Sequence, residues 1–152
     1  MKRGSQLVLT FLAGALSTLA FHQGVLAVMF AAGLTARVPY DLSPTRPFHV
    51  PAIVSLCFWG GAWAAAIRWA VERAFGSSGS LRWFAVAGTV LPSLVTWFVV
   101  MPLKGEPVAG GWQLDSMGGV LLVNVAWSLG VCGVLVLARR FGFSGSHGAS
   151  SD

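Results

Sequence analysis

Leu7 to Ala36 is a run of thirty residues without a formal charge, and near its middle stands Phe21-His22-Gln23-Gly24. A helix needs about 20 apolar residues to cross the hydrocarbon layer of a bilayer, so this stretch is long enough to do so with some tilt. An imidazole beside an amide at that depth lies where lipid tolerates polar groups least. The rest of the chain must therefore supply partners for that pair.

The remainder of the 152 residues repeats the pattern. Hydrophobic residues make up 55% of the chain and charged residues 10%, far from the balance of a soluble domain. Ala36 to Val50 ends the first run with Pro39, Pro44 and Pro47 among Arg37, Asp41 and Arg46, a loop that cannot continue a helix. Pro51 suits the first turn of a second helix, where its missing amide hydrogen would be unpaired in any case. Arg68, near the far end of that helix, is expected to reach the interface along its own methylene stem. Gly76-Ser77-Ser78-Gly79-Ser80 is long enough only to join neighbouring helices. A third helix follows, interrupted by Pro92, which frees a carbonyl near Gly88. Asp115 is placed to cap a fourth helix that runs uncharged from Ser116 to Ala138 and stops at Arg139-Arg140. The expected spans are 7–35, 51–71, 83–102 and 116–138 within a transmembrane domain of residues 1–143. The Ser/Gly-rich residues 144–152 are expected to form a disordered cytoplasmic tail.

A basic start followed by an apolar core also resembles a secretory signal, with Thr18-Leu19-Ala20 as its cleavage site. The apolar run continues through Val25 to Phe30, so an uncleaved span is the expectation. Basic residues then sort by side. Lys2, Arg3, Arg68, Arg73, Arg82, Arg139 and Arg140 fall with the termini, against Arg37, Arg46 and Lys104 opposite. The positive-inside rule puts both termini in the cytoplasm. The fold class expected is all-α, an integral membrane antiparallel four-helix bundle.

Counted from the middle of each span at about 1.5 Å per residue, His22, Cys57, Thr96 and Asn124 lie within about 6 Å of the midplane, on its outer side. Gln23 joins them as the candidate intramembrane polar layer. Gly14-Thr18-His22, Cys57-Gly61-Ala65 and Asn124-Ser128-Cys132 recur at four-residue spacing, so each set shares one helix face and lets helices approach closely. His22 and Asn124 are thus expected to face the bundle interior. Such a layer reads first as hydrogen-bonded glue between helices. The alternative is a small transporter or channel subunit, with an outward-facing polar cavity around His22 and Asn124.

Other chemistries find little support. The basic residues lie between apolar runs and form no stripe interleaved with aromatics, so no nucleic-acid partner is expected. His22 is the lone histidine of the spans, which argues against paired axial haem ligands. Cys57 and Cys132 form no CxxC pair and fall on opposite sides of the midplane, about 13 Å apart along the axis, too far for a disulfide. No cofactor or metal is expected. The acidic residues sit at span ends or in loops without a nucleophile beside them, so no enzyme is expected either. Trp59, Trp63, Trp97 and Trp127 lie too deep to be interface anchors, and they are expected to fill the core or a seam with a second copy or a larger membrane-protein partner.

The strings Phe21-His22-Gln23-Gly24, Phe58-Trp59-Gly60-Gly61, Pro102-Leu103-Lys104-Gly105 and Gly110-Gly111-Trp112 resemble those of a group of small four-span bacterial inner-membrane proteins, over residues 5 to 140. The resemblance implies fold and a bacterial inner-membrane location. It attaches no activity and no functional residue.

Overall fold

The computed structural model describes residues 3–76 and 80–141. Residues 144–152, expected as a tail, lie outside them. Four helices are each long and apolar enough to cross a membrane: α1 (Gly4–Ala31), α2 (Ala52–Phe75), α3 (Ser80–Leu103) and α4 (Leu114–Arg140). The described residues are all-α apart from one two-residue strand pair, β1 (Pro44–Thr45) with β2 (Val50–Pro51), antiparallel within the loop between α1 and α2.

Each helix ends for a local reason. Helix α1 stops at Ala31, short of residue 35, because Gly33 takes a left-handed conformation with φ of 71°. The Gly33 amide then donates to Phe30 and the Leu34 amide to Met29, closing two carbonyls that a helix end otherwise leaves open. Gly105, with φ of 76°, ends α3 by the same device: its own amide donates to Pro102 and that of Glu106 to Met101. Pro51 stands one position outside α2 as its N-cap rather than in its first turn. The first amides of α2 are satisfied from the loop, Ala52 donating to the Ser43 carbonyl and Ile53 to that of Asp41. Asp41 holds that loop in shape by accepting from both the amide and the hydroxyl of Ser43, each at 2.8 Å.

Three expectations are corrected here. Gln113, not Asp115, is the N-cap of α4. Asp115 lies inside the first turn, where its charge complements the positive helix end without a capping bond. Pro92 does not interrupt α3, which stays helical through it. The irregularity is a π-helical turn at Thr96–Val100, just ahead of Pro102. Arg68 does not stand free at the surface of α2. It is 6% exposed and turns into the protein against Glu72, one helical turn on.

The core sits where α1, α2 and α4 meet α3, in Ala13, Ala64, Ile67, Val71, Phe84, Trp127, Val131 and Leu135. Close approach of α1 to α2 depends on missing side chains. A Cβ on Gly14 would strike Ala64 and the Gly60 carbonyl, and one on Gly60 would strike the Thr18 hydroxyl. The face that α2 turns inward is accordingly Gly61, Ala64, Ile67, Arg68 and Val71. Of the expected Cys57-Gly61-Ala65 set, only Gly61 is fully buried.

Candidate functional site

Helix α1 carries the feature that decides which polar groups meet. Thr18–His22 forms a π-helical turn, which holds one residue more than the α-helical turn it replaces. Gly14 and Thr18 face α2 four residues apart, and in a regular helix His22 would follow them. The extra residue passes that inward position to Gln23, which is 3% exposed, while His22 is only half-buried.

Gln23 is consequently the better connected of the pair. Its Oε1 accepts from the Tyr40 amide at 2.7 Å, tying the α1–α2 loop to the helix, and its Nε2 lies 3.4 Å from His22 Nδ1. Asn124 is buried on α4 and donates through Nδ2 to Ser93 Oγ on α3 at 3.0 Å. Cys57 and Thr96 are half-buried, and no side-chain hydrogen bond joins either to the other layer residues. The five expected residues therefore divide: His22 with Gln23 at the Tyr40 loop, Asn124 with α3, and Cys57 and Thr96 apart from both.

The larger polar assembly uses residues that spacing did not single out as a site. Ser93 Oγ donates to the Thr89 carbonyl at 2.7 Å, and the Thr89 hydroxyl pairs with Ser128 at 2.9 Å, so α3 and α4 are stitched twice. Between α1 and α4, Ser17 Oγ donates to the Trp127 carbonyl at 2.7 Å, and Trp127 Nε1 donates to the Gly14 carbonyl at 3.1 Å. The same Gly14 carbonyl accepts from Thr18 at 2.9 Å. The signal for these was present: Thr89 and Ser93 lie four apart, as do Asn124 and Ser128, and each pair shares a face. What spacing could not supply was the pairing between helices.

Chemically this network is neutral. Hydroxyl, amide and indole groups donate to one another and to backbone carbonyls, and none of them is an acid or base suited to proton transfer near neutral pH. Two recesses on the described surface bear on these side chains. One lies among Gln6, Thr10, Arg68 and Arg139, the other against Thr89, Val125 and Ser128 between α3 and α4. Neither is lined by His22, Gln23, Cys57, Thr96 or Asn124. Among the described residues, no three histidine, cysteine or carboxylate side chains gather as metal ligands would.

The tryptophans part company as well. Trp127 is 3% exposed at the centre of the core, and Trp63 packs on its edge. Trp59 is 59% exposed beside an equally exposed Phe58, whose ring meets Phe11 of α1 at 5.9 Å. No family model, curated protein or solved structure matches this chain, so its function is read from this geometry.

Proposed function

We propose that this chain is a multi-pass protein of the bacterial inner membrane that acts by association within the bilayer, neither as an enzyme nor as a conduit. The four helices form an antiparallel bundle with both termini in the cytoplasm, in keeping with the seven basic residues on that side against three on the other. One observation carries the reading. Most interior hydrogen-bonding groups of α1, α3 and α4 are spent on one another through Ser17, Trp127, Gly14, Asn124, Ser93, Thr89 and Ser128, and the buried Trp97 indole of α3 is the exception among the described residues. A passage for solute needs such groups turned toward water, whereas a packing element needs them paired.

The surface for association lies on α2. Phe58 and Trp59 stand some seven residues inside the helix, about 10 Å from its end, where an exposed tryptophan has no headgroup to meet. A second copy or a larger membrane protein seated there would cover both rings. The full chain in nanodiscs should give a particle heavier than one chain, or carry a stoichiometric partner, and Trp59→Ala should reduce it to a lone chain. A strictly single-copy particle that retains nothing overturns the proposal.

A further inference from the structure

The ends of α1, α2 and α4 that lie nearest the two termini enclose a cavity of about 60 Å³ lined by Gln6, Leu9, Thr10, Arg68, Leu135, Ala138 and Arg139. Its lining holds two guanidiniums, an amide and a hydroxyl, and no carboxylate. At about 10–15 Å³ for each water-sized position, the volume accommodates roughly four to six oxygen-sized atoms. A phosphate group falls within that size.

The deep residue is built in. Arg68 is 6% exposed and Thr10 is 2% exposed, so both are held by the packing of three helices rather than waving at a surface. Glu72 engages Arg68 through Nε and Nη2. The Nη1 amino group, with two more donors, has no protein acceptor among the described residues, and Arg68 lines the recess. Burying a guanidinium is costly, and one carboxylate oxygen satisfies only part of its five-donor fork. At the rim Arg139 is exposed and has no carboxylate partner among the described residues, so the cavity carries net positive charge. Planar guanidinium forks match phosphate oxygens in geometry as well as in sign. Exposed apolar side chains, Val8 and Leu12 on α1 and Leu137 on α4, continue from the same helix ends as a surface for acyl chains.

We propose that this cavity is a binding site for a phosphate-bearing anionic group, the headgroup of an acidic phospholipid, with Arg68 and Arg139 as its cationic ligands and the Gln6 side-chain amide beside them, while the Thr10 hydroxyl, which donates to the Gln6 carbonyl at 2.8 Å, only forms part of the wall. Basic recesses between helices on the cytoplasmic side are a general way for membrane proteins to hold such headgroups. The site stands apart from the association surface on α2 and does not depend on it.

The test uses the full chain in a neutral detergent, followed by thermal unfolding and by native mass spectrometry. Short-chain phosphatidylglycerol should raise the unfolding temperature and remain as a one-to-one adduct, whereas phosphatidylcholine at the same concentration should do neither. Arg139→Gln should weaken the apparent affinity at least about fivefold, and Arg140→Gln, next door but outside the lining, should leave it within about twofold. Because Arg139 is exposed, its replacement leaves the fold intact, unlike that of Arg68. Inorganic phosphate forms the second arm. Stabilisation by the lipid alone assigns a headgroup, and stabilisation by both assigns the phosphate itself, each in support of the site. Equal effects of the two lipids, or equal effects of the two arginine variants, overturn it.

Discussion

Several interactions converge on Gly14. Its carbonyl receives both the Trp127 indole and the Thr18 hydroxyl, and its missing side chain admits Gly60 and Ala64 of α2. These two roles differ in size. A hydrogen bond between membrane helices contributes about 0.6 to 2 kcal/mol, and here the acceptor keeps a second donor if one is lost. Forcing branched carbons into a closed contact costs about 1–3 kcal/mol or more, because backbone must move. Gly14→Val should therefore destabilise the protein more than Trp127→Phe, by thermal unfolding in detergent, and the reverse order would mean that the helices separate without cost. At the loop, the Ser43 amide and then its hydroxyl hold the Asp41 carboxyl below its usual range. A depressed acid contributes order that is complete above its unfolded value, about 3.9, and fades as pH falls through the lower folded value. The Ser43 amide resonance should titrate with a midpoint under about 3.9, and Asp41→Asn should abolish that titration.

At the scale of the element, the π-helical turn of α1 decides which side chain faces inward. Thr18–His22 moves the buried position from His22 to Gln23, whereas beyond Thr96–Val100 the buried Met101 is also where four-residue spacing from buried Ser93 falls. Four-residue counting along α1 is accurate up to its π turn and one residue out of step beyond it. A π turn contains one residue more than the helix requires. Deleting exposed Leu19 should convert that turn of α1 to regular helix while keeping Gln23 under the Tyr40 amide, with little loss of thermal stability. Deleting Leu26, in the α-helical part, should unseat Met29 and cost far more. Comparable losses from the two deletions would show that the turn is not a register device. The helix stops were more legible: Gly33 and Gly105 each follow an apolar run and supply the left-handed residue that a helix end favours. Gly33 could have placed the end of α1 before residue 35.

For the whole molecule, the proposal of a closed bundle implies that water does not reach mid-depth. Cys57 should stay unlabelled by a membrane-impermeant maleimide in intact cells and react after denaturation in detergent. Labelling from the outer side of folded protein would favour a wetted cavity over a packed one. Four long apolar helices and the loops between them were legible in the chain alone, since hydropathy, prolines and glycines act through neighbours in sequence and need no tertiary partner. Asn124 as a buried polar group was legible for the same reason, from its place on a small-residue face. The fate of His22, the inward turn of Arg68 and the stitching through Ser17, Trp127, Ser93 and Thr89 were decided only in three dimensions. Each depends on an axial offset between helices or on one surplus residue in a turn, and a periodic pattern is nearly blind to both, because either change leaves the composition and hydropathy of every segment as they were.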